Sequence, residues 1–279
     1  VSRHPDLTGL VVAVTGGARG IGLATARALV ARGALVAIGD LDAEHTAAVA
    51  TGVDPTGTRV VGLPLDVADR ASFAAFLEAV TTALGPVDVL VNNAGIMPLG
   101  PLVDETDARA RRIVDVNLHG VLHGVKLAAP AMVARGRGHI VNVSSAVGRV
   151  ALAGAATYSA TKYAVVGLTE ALRSELEGTG VDASVVIPMI VSTELGSGLG
   201  TVTGQRTVSA EEVAEAIVAV IRRPRFETWV PSTGRPLYVA MTLLPRAVRD
   251  GLSGLLGAAK VLARADVDAR RAYDERVGA

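Results

Sequence analysis

Three side chains near the middle of the sequence have the types and spacing needed to move a proton at a carbon-bound oxygen. Tyr158 and Lys162 stand four residues apart at the start of a helix-period stretch, which puts them on one helix face about 5–6 Å apart at Cβ. An ammonium beside a phenol favours the phenolate and lowers its pKa from about 10, so the tyrosine becomes a usable acid or base near neutral pH. Only Lys126, Lys162 and Lys260 are lysines, arginine filling the other basic positions. Chance would therefore place a lysine four residues after roughly one tyrosine in a hundred. Ser145 precedes Tyr158 at the end of a β-rich run, and its hydroxyl can hold a substrate oxygen while the phenol moves the proton. Ser144 competes for that role.

A second group of residues suits a dinucleotide. Thr15-Gly16-Gly17-Ala18-Arg19-Gly20-Ile21-Gly22 lies between a strand-like run and a helix-like one, so backbone N–H groups and a helix N-terminus would converge on one pyrophosphate. Gly16 permits the sharp turn, Gly20 lets the backbone approach the phosphates, and Gly22 lets the helix press on the strand. Asp40 ends the next strand-like run. A carboxylate there can accept both adenosine ribose hydroxyls and repels a 2′-phosphate, so NAD(H) is preferred over NADP(H). The competing readings are that Asp40 only opens a turn with Asp42, and that Arg19 attracts a phosphate.

These groups need a scaffold that brings strand ends together. Strand-like runs at 10–15, 34–39, 59–65, 87–92, 139–144 and 183–188 alternate with helix-period stretches at 21–32, 71–84, 107–134 and 157–177. That alternation predicts an α/β fold with one doubly wound parallel sheet and helices on both faces. Ser209-Ala-Glu-Glu212 is a capping box opening a helix to about Arg222, and Glu227 to Pro231 reads as a last edge strand. Residues 1–235 are then one dinucleotide-binding and catalytic unit, with a Gly/Ser/Thr-rich lid over about 189–208. Residues 236–279 form a helical extension, an apolar stretch followed by amphipathic helices with Arg246, Arg249, Lys260 and Arg264. This extension could cover the lid, a partner subunit or a membrane surface.

Composition narrows the function. Twenty-seven basic and twenty-seven acidic residues cancel, so no broad positive field exists for nucleic acid. Cysteine is absent, which excludes thiol nucleophiles and thiolate metal sites and fits a reducing compartment, the cytoplasm by default. The opening residues lack an export signal's apolar run, and no apolar stretch reaches the roughly 20 residues of a membrane span. His119 and His123 share a helix face without a third ligand, so no metal is expected. Arg109, Arg111 and Arg112 sit among Asp104, Glu105, Asp107 and Asp115 and read as a self-paired surface.

Thr15-Gly16-x-x-x-Gly20-x-Gly22, Asn92-Asn93-Ala94-Gly95, Ser145 and Tyr158-x-x-x-Lys162 together resemble the short-chain dehydrogenase/reductase family, in order and spacing, from about Leu10 to Thr193. The resemblance implies a Rossmann-type sheet and hydride transfer between nicotinamide and a carbinol carbon, with Tyr158 as proton donor or acceptor. It implies that Lys162 also holds the nicotinamide ribose and that Asn117, in Asn117-Leu-His-Gly, supports a water-linked proton relay. Asp66 and Val67 match the pair at the adenine; Asn93, Ala94 and Gly95 match the turn beside the adenosine half; Ile21 and Leu41 join the cofactor contacts. Pro188 and Thr193 match the segment closing over the nicotinamide amide. A homodimer or homotetramer through the two long helices is also implied. Two features depart from the family. Met189 stands where a glycine is usual, and Trp229-Val-Pro-Ser-Thr-Gly with an apolar tail replaces a glycine-rich ending, a form weakly similar to the retinol- and steroid-dehydrogenase-like branch.

The expected pocket walls, 96–99, 146–156 and 189–199, are almost wholly apolar, with Arg149 the one charge in the first two. They suit a hydrophobic secondary alcohol or ketone, or an apolar aldehyde. A dinucleotide sensor without catalysis and an isomerase or dehydratase of the same family are the alternative readings.

Overall fold

The computed structural model describes residues 6–198, 206–245, 247–248, 251 and 266–277. Seven parallel strands form one sheet: β1 (Val11–Thr15), β2 (Leu35–Asp40), β3 (Val60–Pro64), β4 (Val89–Asn92), β5 (Gly138–Val143), β6 (Val181–Pro188) and β7 (Glu227–Val230). Their order is β3-β2-β1-β4-β5-β6-β7. The chain therefore builds outward in one direction from β1 and then returns to build in the other from β4. The strand ends diverge between β1 and β4, which leaves a crevice at the carboxyl edge.

The central strands are apolar on both sides because helices cover both faces. All residues of β1, β4 and β5 are buried. One core gathers Val12, Val14, Leu29, Ile38, Ile217 and Ile221, with α1 (Gly20–Val30) and α7 (Ala210–Arg222) against the sheet. The opposite core gathers Ala13, Phe73, Phe76, Leu90, Val125, Ile140 and Val165, under α3 (Arg70–Leu84), α5 (Gly120–Ala134) and α6 (Ala156–Glu175). Helix starts follow local chemistry: Asp69 caps α3, Thr106 caps α4 (Asp107–Val114), and Ser209 with Glu212 closes a complete capping box on α7. Each such cap stabilises its helix by about 1 kcal/mol.

Three details differ from the sequence expectation. The crossover from β2 to β3 contains α2 (Ala43–Val53), capped by Asp42, whose side chain accepts from His45 N; its alanine-rich sequence has too weak an apolar stripe to announce it. The single helix expected over 107–134 is interrupted by a π-helical turn, Asp115–His119. An extra residue per turn rotates the chain, and here it carries Asn117 into the interior. The extension begins with α8 (Gly234–Thr242) and ends with a terminal helix, Val267–Val277. Arg246, Arg249, Lys260 and Arg264 lie outside the described residues.

Candidate active site

The glycine turn follows β1 at the crevice. Gly16 has φ of +62°, and a Cβ there would stand 2.8 Å from Ala94 Cα. A Cβ on Gly22 would meet Gly16 O at 2.2 Å, so the turn and the first turn of α1 close only without side chains. Asn93 staples this geometry, its amide donating to Thr15 O at 2.9 Å and Gly16 O at 3.0 Å, while Asn93 N and Ala94 N both donate to Thr15 Oγ1. No side chain caps α1 and no acid stands in its first turn. Its free N–H groups and positive dipole end are therefore left for an anion.

Asp40, at the end of β2, accepts from Ala18 N at 3.1 Å and from Leu41 N at 2.9 Å. Its carboxylate is thus anchored to the glycine loop, and Asp42 opens α2 instead. Asp66 Oδ1 accepts from Ala68 N, which holds the turn after β3. One cavity of 1040 Å³ runs past all these groups: Gly16, Arg19, Gly20, Ile21, Asp40, Leu41, Asp66, Val67, Asn93, Ala94 and Gly95 line it, as do Ser145, Tyr158, Lys162, Pro188 and Thr193. Gly22 does not line it and serves the packing of α1. The lid reaches over to the turn, since a Cβ on Gly20 would come within 3.3 Å of Thr193 Cγ2. A side-chain-free cradle, an uncapped helix start and a fixed carboxylate one strand away fit a dinucleotide.

Tyr158 and Lys162 share the buried face of α6, as their spacing demands. Lys162 Nζ donates to Val143 O at 3.0 Å and lies 5.7 Å from the Tyr158 ring centre. Ser144 turns away to donate to Lys162 O, whereas Ser145 Oγ accepts from Val147 N at 3.4 Å and lies close enough to Tyr158 to favour its ionised form. Both serines line the cavity, but the Ser144 hydroxyl is engaged by Lys162 O. The expected effect of the lysine on the phenol is corrected here. Burial dominates and raises Tyr158 above its ordinary value, and it is Ser145, not Lys162, that opposes this. Burial also brings the Lys162 ammonium down to about 8, because the low-dielectric site penalises the charged form of each group.

Asn117 is fully buried and does not line the cavity. Its Oδ1 accepts from Ile96 N at 2.8 Å, while Nδ2 donates to Ile96 O and Thr161 Oγ1. Its side chain is thereby spent on fixing the loop after β4 against α6.

The apolar walls stand where expected, from Ile96 and Met97, from Ala146 to Ala153, and from Met189 to Leu195. The charge on Arg149 is neutralised by Glu227 at 2.6 Å. Met189 is accommodated rather than obstructive: its sulfur lies 3.0 Å from where a Cβ on Gly234 would be, so the glycine opening α8 makes the room that methionine takes.

Sequence reasoning missed the other wall. Trp229, Leu237, Tyr238 and Met241 from the β7–α8 region and Tyr273, Arg276 and Val277 from the terminal helix also line the cavity. Arg112, read from sequence as part of a self-paired surface, donates to Val277 O at 3.1 Å and lines the cavity too. The one available signal was the heptad-like recurrence of Arg270, Tyr273 and Val277, and it does not say what the helix covers.

Residues 10–202 match the model of the short chain dehydrogenase family. A 3-alpha-(or 20-beta)-hydroxysteroid dehydrogenase of Mycobacterium tuberculosis is 40% identical over 189 residues, 68% of this chain and 72% of that protein. A glycine betaine reductase of Emericella nidulans is 36% identical over 228 residues, 78% of this chain; the match spans 18% of that longer protein. Among solved structures, a short chain dehydrogenase/reductase from Burkholderia phymatum in complex with NAD superposes with a TM-score of 0.75 at 28% identity, covering 82% of this chain and 93% of that one. With its Rossmann-type sheet and a match over most of its length, the chain belongs to the short-chain dehydrogenase/reductase family of oxidoreductases.

Proposed function

We propose that this oxidoreductase uses NAD(H) to interconvert a hydrophobic secondary alcohol and its ketone, or an apolar aldehyde, with Tyr158 as the acid/base. The observation that carries the reading is the single cavity in which the Ser145–Tyr158 hydroxyl pair and Lys162 face the same space as the glycine turn and Asp40. When bound, the nicotinamide would supply or accept the hydride. Ser145 positions the substrate oxygen, and Tyr158 gives its proton to that oxygen in reduction or takes one in oxidation. Burial keeps the phenol protonated, which is the donor form. Among the described residues Lys162 Nζ has one acceptor, Val143 O, for its three N–H groups, which leaves donors for a ribose and for the phenolate formed as the proton leaves. Asn117 acts as a positioning residue through the Ile96 backbone. Asp40, its carboxylate fixed beside Ala18, favours NAD(H) by accepting ribose hydroxyls and repelling a 2′-phosphate.

The apolar walls and the hydroxysteroid dehydrogenase relative both support the substrate class. Tyr158→Phe tests the chemistry: turnover of secondary alcohols or ketones, followed by nicotinamide absorbance, should drop by at least a hundredfold while NADH binding, followed by its fluorescence, persists. Turnover surviving in that variant would overturn the role given to Tyr158. A lower Michaelis constant for NADP than for NAD in the same assay would overturn the cofactor preference.

A further inference from the structure

The terminal helix is fastened to both sides of the substrate end of the cavity. Arg270, 2% exposed, donates to Leu195 O at 2.9 Å and Ser197 O at 3.0 Å on the lid, and to Met97 O at 2.7 Å on the loop after β4. Ser197 Oγ donates to Ala269 O, Asp266 N donates to Gly198 O, and Arg276 pairs with Glu194. Tyr273, one turn beyond Arg270, is 5% exposed, and its oxygen accepts from Met97 N at 2.7 Å. Its ring lies between two guanidinium groups, 4.9 Å from Arg270 Cζ and 5.6 Å from Arg276 Cζ.

That arrangement leaves one valence to account for. A phenol both accepts and donates; Met97 N–H fills the acceptor side, and among the described residues no acceptor receives the Tyr273 proton. Tyr273 lines the cavity, near enough to Tyr158 for the two phenols to influence one another's ionisation. Because Tyr273 lines the cavity, that donor is available to an acceptor bound there. Burial pushes the phenol up to about 12, so it stays a neutral donor throughout the working pH range.

We propose that Tyr273 is a specificity-determining residue whose hydroxyl donates to a second oxygen of the substrate, remote from the carbon that reacts at Tyr158. The substrate class is thereby an apolar ketone or alcohol bearing a further acceptor, such as a carbonyl, ether or ester oxygen. This inference rests on the proposed oxidoreductase reading of the cavity.

Matched ligands test it: cyclohexanone against cyclohexane-1,4-dione, and 5α-androstan-17-one against 5α-androstane-3,17-dione. Affinity for the NADH-loaded protein is measured calorimetrically, and turnover by absorbance. The wild type should favour the dioxygenated member of at least one pair about five- to tenfold, the worth of one neutral hydrogen bond, and Tyr273→Phe should abolish that preference. A merely structural role would weaken both members of a pair alike and leave the ratio unchanged, which would overturn the inference. Should the variant fold poorly, a crystal structure of the wild type with the preferred diketone must place a ligand oxygen within about 3.2 Å of Tyr273 Oη. No preference in the wild type for either pair, whether both members bind or neither does, also overturns the inference. Preference in binding without any turnover would instead sink the oxidoreductase reading and leave Tyr273 standing.

Discussion

Burial acts on both titratable groups of this site, holding the proton on Tyr158 and disfavouring the charge on Lys162. Lys162 is held near pKa 8 by burial, so at neutral pH the fold carries an ammonium it would be more stable without. The folded-state value lies below the unfolded one near 10.5, so the cost is fully present below pH 8, shrinks as pH rises because the unfolded chain then holds the extra proton, and is gone above 10.5. The full cost is about 3 kcal/mol. Lys162→Met is therefore expected to be more stable than the wild type by about 2 kcal/mol at pH 7, after allowing for the lost bond to Val143 O, and to be inactive. Its advantage should fade between pH 8 and 10.5. Urea unfolding across that range checks this, and a variant less stable than the wild type at pH 7 would contradict the account. A buried ammonium that costs folding stability and lies 5.7 Å from the Tyr158 ring centre fits the acid/base role proposed for that tyrosine.

Elements of the site divide into those held by the sheet and those held by the terminal helix. The glycine turn, Asp40, Ser145 and Pro188 all sit at the ends of buried strands, and their positions follow from strand register. Among the described residues, the inner part of the lid is held by the bridge of Val191 with Val208, by Met189 N donating to Val230 O, and by the bonds between Ser192 N and Val208 O and between Val208 N and Ile190 O. Its outer part, Glu194–Gly196, gains its order from Arg270 and Glu194–Arg276. Arg270→Met removes three charge-assisted bonds, each worth about 1.5–3 kcal/mol before repacking, and is expected to cost about 3 kcal/mol overall. Hydrogen exchange should then accelerate selectively in 192–198 and 266–277 relative to the strands. Uniform acceleration through the sheet would show that the terminal helix supports the whole fold and not the lid in particular.

Across the whole molecule, the parallel sheet reverses its direction of growth between β1 and β4, and the glycine turn, Ser145, Tyr158 and Lys162 all line the cavity at the crevice made there. The walls farther out are apolar, and Arg149 is disarmed by Glu227. No helix among the described residues is long and apolar enough to cross a membrane. The outer face of α6 carries the exposed Tyr163 and, one turn on, Gly167 with open space above it. Association of copies through α5 and α6 is expected from the family resemblance, and this open face gives it room. Sedimentation equilibrium should report a dimer or tetramer, and a monomer at all concentrations would rule it out.

Much of this was legible from residue order alone, for reasons of local geometry. Short continuous apolar runs dictated the strands, because a doubly covered parallel sheet buries both faces, and period-3.6 patterning dictated most helices; glycine at 16 and 22 dictated the turn, because a side chain there would meet backbone; a four-residue interval dictated that Tyr158 and Lys162 share a face. What depended on distant segments could not be read. Burial, and not the neighbouring ammonium, sets the Tyr158 proton. The engagement of the Ser144 hydroxyl by Lys162 O follows from how β5 meets α6, and the inward turn of Asn117 from a π-helical residue. Above all, the placement of Tyr273 beside Met97, 176 residues earlier in the chain, was decided by the folded shape, since no periodicity in a short helix records which loops it will clasp.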